Sequence, residues 1–407
     1  MCKKLLLIAV LVIPLMGGLA GYAESAPAQP INIGIVTSLT GFASSLAKDQ
    51  VNAATLAVKE INGQGGLLGR QVVLLVRDDE LKPDVAVRKF DELVKVDKIV
   101  AIFGGASSVA SVAVSEKAMQ YSIPLLGVAQ IKTFQKPGRQ TYQFGSTIVD
   151  AIAGLAGADY AVKNLGKRQY IVYSDYAFGT DELYAWEKGV KKYGGELIGK
   201  IPIPMGAQDY APFLTKVLVA KPDVLVLAMG GADAINAIKQ VHELGLKEKM
   251  KIFCEFSDAY TTERGVGPKA MEGVYVGTGF YWEIEKFHPT AKKFVAAYQA
   301  DYGIKPGAMA YNVYAGVQGW AEAVRITKRL DGEIIKETFG SPTFGFDAGK
   351  GKVRWRLPDR SPIEEWYICR GRAAADVAAE PDRILDVIKV MGPSEEYLYS
   401  LEELGYK

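Results

Sequence analysis

The chain has 407 residues, 49% hydrophobic and 23% charged, a globular balance long enough for two or three domains. Its net charge of +2 offers no broad basic field for nucleic acid. The two histidines, His242 and His288, lack metal-ligand spacing, which argues against a metal centre or a histidine-dependent triad.

Lys3 and Lys4 give a positive start, Leu5 to Met16 is almost wholly apolar, and the small residues end in Gly21-Tyr22-Ala23. This pattern predicts a secretory signal peptide over residues 1–23, too short and wrongly flanked for a spanning helix. Cys2 precedes the apolar run and is not placed as a lipoprotein cysteine. The expected location is the periplasm. Of the later cysteines, Cys254 and Cys369 fall in separate strand-like runs, KIFCEF and EEWYICR. One disulfide or two buried thiols both fit.

Ile31 to Val36 reads as a strand, followed by the polar loop Thr37-Ser38-Leu39-Thr40-Gly41-Phe42. Val51, Ala54, Val58 and Ile61 then recur at helical spacing, giving one apolar face. Gly63, Gly65, Gly66 and Gly69 follow that helix and precede a strand, Val72 to Val76. A dinucleotide loop needs the reverse order, so these glycines end a helix and turn the chain. Asp78-Asp79-Glu80 reads as a solvated strand end, and Ala86, Phe90 and Leu93 mark the next helix.

The most informative stretch is Lys98 to Met119. A short apolar run, Ile99 to Phe103, reads as a buried strand. Gly104 and Gly105 permit a tight turn, and Ala106, Ser107 and Ser108 open a helix with free N–H groups in its first turn. This arrangement suits a small anion. There is no Walker lysine, so a carboxylate fits better than a nucleotide phosphate. The plain alternative is that Ser107 or Ser108 merely caps the helix. A strand at Ile123 to Leu126 leads into a second loop, Gly127 to Lys132, which holds Ala129, Gln130 and Ile131. Thr40, Ser107 and Ala129 all follow strands, so they can line one crevice of a doubly wound parallel sheet.

From Asp150 the alternation restarts, with a helix over 151–165 and a strand over 170–173. The next loop is Ser174-Asp175-Tyr176-Ala177-Phe178-Gly179. Gly230-Gly231-Ala232-Asp233 opens another helix, and Ile252 to Phe256 is a strand ending in Ser257-Asp258. This is a second sheet domain with its own crevice. Ala308 to Thr327 reads as a buried packing helix, since Asn312, Gln318 and Glu322 argue against membrane insertion. Val353–Trp355 and Glu365–Cys369 look like a hairpin pair, and residues 373–407 like a helical tail.

In this order, INIGIVTSLTG, KEINGQGGLLGR, IFGGASS, IPLLGVA, SDYAFG, MGGADAINAIKQ, HPTAKKFVAAYQADYG and GKVRWRLPDRSPIEEWY resemble the type I periplasmic binding proteins. The branch is that of the leucine/isoleucine/valine-binding receptors of ABC importers, and the resemblance runs from Ile31 to about Arg370. It implies two Rossmann-like α/β lobes joined by a three-crossover hinge. Lobe one would take 31–145 and 278–340, and lobe two 146–277 and 341–372. It also implies hinge closure on a small carboxylate with an apolar body, no cofactor, no catalysis, and delivery to a membrane permease with its ATPase. A monomer is expected.

By the same resemblance, Ser107 or Ser108 holds the ligand carboxylate, and the loop of Ala129, Gln130 and Ile131 contacts the ligand. Ile131 replaces the family's usual threonine and Phe178 its usual tyrosine. Asp258 is the candidate partner for an α-ammonium. Thr40, Phe42, Tyr176 and Gly230 complete the expected site. Phe42, Phe134, Tyr176 and Phe178 could line a flat apolar slot, or could simply pack in the core; SDYAFG and GGADAINAIKQ also resemble a sub-branch that includes receptors for aromatic acids. Two competing readings are a ligand-sensing domain for a signalling partner and a hydrolase using Asp78, Asp79, Ser107 and Asp258. The second lacks a visible nucleophile–base pair.

Overall fold

The computed structural model describes residues 29–127, 131–138, 142–144 and 149–407. The predicted signal peptide, Ala129 and Gln130 lie outside these residues. Among the described residues, no helix is long and apolar enough to cross a membrane.

The first half of the chain alternates strictly. β1 (Ile31–Thr37), α1 (Ser44–Gly63), β2 (Val72–Asp78), α2 (Pro83–Lys95), β3 (Ile102–Phe103), α3 (Ser108–Gln120), β4 (Leu125–Leu126), α4 (Lys132–Gln135) and β5 (Gln143–Phe144) follow in order. The five strands form one parallel sheet in the order β2-β1-β3-β4-β5. Ile33 and Ile35 of β1 are fully buried, as expected where helices cover both faces of a parallel sheet.

The second run is α5 (Asp150–Asn164), β6 (Arg168–Ser174), α6 (Ala177–Lys192), β7 (Glu196–Ile203), α7 (Ala211–Ala220), β8 (Val224–Ala228), α8 (Gly231–Glu243), β9 (Lys251–Cys254), α9 (Thr261–Val266), α10 (Pro268–Met271) and β10 (Tyr275–Thr278). The chain then returns to the first sheet. α11 (Pro289–Tyr302) and α12 (Ala308–Thr327) pack against α1, and α13 (Gly332–Phe339) packs against α12. A third crossing carries β11 (Phe346–Asp347), β12 (Lys352–Arg356) and β13 (Ser361–Ile363) into β14 (Trp366–Gly371). The chain ends with α14 (Ala374–Ala379), β15 (Leu385–Met391) and α15 (Leu401–Leu404). The second sheet has the order β15-β14-β10-β9-β8-β6-β7.

Three sequence expectations need correction. Residues 341–363 do not join the second lobe's sheet. β11, β12 and β13 form a separate antiparallel sheet whose Trp355 packs on Phe144 and Phe339 of the first lobe, with centroids 5.9 and 4.9 Å apart. The expected hairpin is also re-paired: β12 pairs with β13, while β14 pairs with β10 and β15. Finally, the tail is not helical throughout, because β15 adds an edge strand antiparallel to β14.

Both cysteines are buried free thiols. Cys254 and Cys369 each pair in register with Val276, from opposite sides. Two strand spacings, roughly 9.5 Å, are too far for a disulfide. The crossings are pinned by Lys350, whose ammonium is fully buried. It donates to Gly279 O at 2.7 Å, Glu365 O at 3.0 Å and Glu364 Oε2 at 3.0 Å. Removing one partner of such a pair strands a buried charge.

Candidate ligand-binding site

In each sheet the strand order reverses at one point, between β1 and β3 in the first and between β6 and β8 in the second. At such a point successive loops leave in opposite directions and open a crevice beyond the strand ends. The two crevices face each other and enclose a small cavity, with about 40 Å³ open to the centre of a water molecule. The loops after β1 and β3 contribute Phe42, Gly105 and Ala106, and the loops after β6 and β8 contribute Tyr176 and Gly230. Leu46, Phe134 and Met309 complete the first lobe's side; Phe178 and Phe256 complete the second.

The polar wall comes from α3. Gly104 and Gly105 make the tight turn that the sequence suggested, with φ of 77° and 117°, where glycine is favoured. A Cβ at Gly104 would lie 2.9 Å from Ile35, so glycine is also required by packing. Fully buried Gln50 fixes the loop. Its Oε1 accepts from Gly105 N–H at 3.2 Å and from Thr37 Oγ1 at 2.8 Å. The helix then begins at Ser108, with Ser107 as N-cap residue making no side-chain capping bond. Ser108 and Ser111 lie three apart, hence on one helix face. Both hydroxyls are buried on the cavity wall without a hydrogen-bond partner. They stand beside the free N–H end of a helix, the positive end of its dipole.

The opposite wall is aromatic. Phe42 meets Tyr176 edge-on across the lobes at 6.3 Å, Tyr176 stacks on Phe178 at 6.1 Å, and Phe178 meets Phe256 edge-on at 6.1 Å. No residue that lines the cavity, among the described residues, carries a charge.

Acidic side chains lie behind the rings. Glu182, one helical turn beyond Phe178, and Glu255, next to Phe256, are both fully buried. Burial holds both carboxyls well above the ordinary range, reinforced by the charge of Asp150 at Glu182 and by that of Glu182 at Glu255. Asp150 is pushed up to about 8 by burial and then by Asp181. It accepts from Lys132 N–H at 2.8 Å and Tyr399 Oη at 2.9 Å.

The cavity thus gathers Phe42, Ser108, Tyr176, Phe178 and Gly230 of the expected site, together with Phe134 of the anticipated slot. Four expected residues stand elsewhere. Thr40 is exposed. Ser107 is buried off the lining, its carbonyl accepting from Ser111 N–H at 2.9 Å. Ile131 is fully buried in the hydrophobic cluster that bridges the two lobes. Asp258 does not line the cavity either: its Oδ1 accepts from Met309 N–H at 2.6 Å, capping α12. Leu46, Ser111, Phe256 and Met309 were missed. Helical spacing from Ser108 could have found Ser111. Met309 carries no local signal, since only the return crossing brings α12 to the cleft.

A family model described as periplasmic binding protein matches residues 30–376. The chain belongs to this family, the substrate-binding receptors of ABC transporters, built as two α/β lobes. Among its relatives is the Leu/Ile/Val-binding protein homolog 7 of Brucella abortus (strain 2308), 24% identical over 343 residues, covering 81% of this chain and 85% of that one. Among solved structures, an amino acid ABC transporter substrate-binding protein from Pseudomonas fluorescens Pf-5 superposes with a TM-score of 0.82 at 24% identity, covering 91% and 98% of the two chains. A solute binding protein from Rhodopseudomonas palustris BisB5, in complex with 3,4-dihydroxybenzoic acid, superposes at 0.78 with 24% identity, covering 90% and 98%.

Proposed function

We propose that this receptor carries an amine-free aromatic carboxylate, a benzoate-like acid, across the periplasm to an ABC permease and its ATPase. The signal segment over residues 1–23 would export it, and the two lobes would close on the ligand as a monomer. The carboxylate would accept from Ser108, Ser111 and the first N–H groups of α3, and the ring would lie among Phe42, Tyr176, Phe178 and Phe256. The observation that carries this reading is the lining itself: two unpartnered hydroxyls at a helix N-terminus face aromatic rings, with no charge on the wall among the described residues. A buried ammonium would have to be paired, and the carboxyl expected for that role, Asp258, is occupied at α12.

A branched-chain amino acid is the second reading, favoured by the binding named for the Brucella relative. Mass spectrometry of the small molecule released on denaturing freshly purified protein separates the two, followed by thermal shift. A ligand at 100 times its Kd adds about 2.7 kcal/mol of stability. Benzoate is expected to raise Tm and leucine to leave it unmoved; recovery of leucine, isoleucine or valine would overturn the proposal.

A further inference from the structure

Two acids from opposite lobes meet beside the cleft. Asp49 lies on α1 of lobe one and Asp258 follows β9 of lobe two, at 4% and 1% exposure. Each carboxyl reaches across. Asp49 Oδ2 accepts from Thr261 Oγ1 of lobe two, and its Oδ1 accepts from Tyr298 Oη of α11 at 3.2 Å. Asp258 Oδ1 accepts from Met309 N–H and its carbonyl from Ala308 N–H at 2.9 Å, both on lobe one's α12. The remaining oxygen, Asp258 Oδ2, has no donor. It is packed so closely that a Cβ at Gly307 would stand 2.5 Å away.

Among the described residues, the groups facing this pair supply no buried cation. On α1 the neighbouring charge is Lys48, itself exposed. On α9 it is Glu263, another buried acid, held by Ser257 Oγ and Tyr260 N–H. α11 offers the Tyr298 hydroxyl and α12 only backbone. Two adjacent carboxylates cannot both stay ionised in such a site, whereas one acid and one carboxylate satisfy each other.

We propose that lobe closure in this receptor takes up one proton, so that Asp49 and Asp258 meet as a carboxylic acid–carboxylate pair. The proton comes from solvent on closing and returns to it on opening. In the acid form, one carboxyl donates its O–H to an oxygen of the other. Burial raises both groups above the ordinary carboxylate range; the charge of Asp49 adds to the rise at Asp258, while the hydrogen bond from Asp258 works in the opposite direction at Asp49, as expected of a pair that shares one proton. Set apart and wetted, each would ionise normally. Closure is then complete below the ordinary carboxylate range and weakens as pH rises through the raised value. The Glu182–Glu255 pair, by contrast, lies wholly within lobe two. The inference rests on the two lobes closing, whichever acid fills the cleft.

The test needs no ligand. Val96 and Val219 are 71% and 78% exposed, one on each lobe, while Cys254 and Cys369 are buried. Spin labels on Val96→Cys and Val219→Cys, in a Cys2→Ser background, report the interlobe distance by pulsed EPR. In dialysed protein, the closed-to-open ratio is expected to rise by up to about tenfold for each unit that pH falls between 8 and 5. Asp258→Asn keeps an acceptor for Met309 N–H and gives Asp49 a permanent donor, so it should flatten this dependence; Asp49→Asn should do the same. A ratio independent of pH in the parent chain, or a slope retained in both variants, would overturn the proposal.

Discussion

The cleft's two walls are built from different chemistry. Lobe one presents backbone N–H groups and the hydroxyls of Ser108 and Ser111 at the start of α3. Lobe two presents Tyr176, Phe178 and Phe256, and keeps its acids, Glu182 and Glu255, one layer behind the rings. In the proposed function the first wall would read charge through fixed dipoles and the second would read shape. The separation matters because an acid at the surface of the slot would repel a carboxylate ligand. Behind the rings, and protonated, the same acids leave the slot neutral.

Removing both hydroxyls should break the first wall. Hydrogen bonds to a charged group contribute about 1.5–3 kcal/mol each. Ser108→Ala and Ser111→Ala should therefore each weaken benzoate binding by roughly 10- to 150-fold, measured by titration calorimetry, with little change in Tm. An unchanged Kd in the double variant would mean that the carboxylate lies elsewhere. A loss confined to Ser108 would mean that only the first turn of α3 is used.

The second wall can be sharpened through pH. Glu182 and Glu255 hold protons in the folded chain where unfolded carboxyls have released theirs. Their contribution to stability is therefore complete below the ordinary carboxylate range. It is lost as pH rises toward the folded-state values, by about 1.4 kcal/mol per pH unit for each proton held. Unfolding in urea between pH 5 and 8 should show this decline, and Glu182→Gln with Glu255→Gln should reduce it. A decline as steep in the double variant would assign the effect to other acids, Asp150 first among them.

The walls were unequally legible in the sequence. IFGGASS shows the polar wall because a strand, a glycine turn and a helix start are all local. Tyr176 and Phe178 were legible for the same reason, standing in a loop between a strand and a helix. Phe256 and Met309 were not, because they reach the cleft only when the lobes fold and meet. Asp258 was placed by resemblance to a ligand role, but the nearby start of α12 offered its carboxyl a backbone donor. The tail was misread for a different reason. Ile384, Val387, Ile388 and Met391 recur at helical spacing, yet the segment around them pairs with the free edge of β14. A sheet edge that needs partners outweighs such a pattern, and the sequence does not announce the edge.

That tail also bears on the comparison, because it holds lobe two's acidic interior closed from outside. Tyr399 is fully buried, its hydroxyl donating to Asp150 Oδ2 and its carbonyl accepting from Arg356 at 2.8 Å. Glu403 bonds both Lys188 and Tyr184 of α6. The residues after 376, beyond the matched family region, thus clamp α6 and the N-terminus of α5. Tyr399→Phe deletes one hydrogen bond and leaves the ring. It should cost about 0.5–1.5 kcal/mol in urea unfolding. Because Asp150 loses a donor to its charged form, the cost should grow as pH rises past about 8, where that carboxyl ionises. A cost that shrinks with pH would mean that the hydroxyl serves the protonated acid, and a cost independent of pH would make the tail a packing element without electrostatic reach into lobe two.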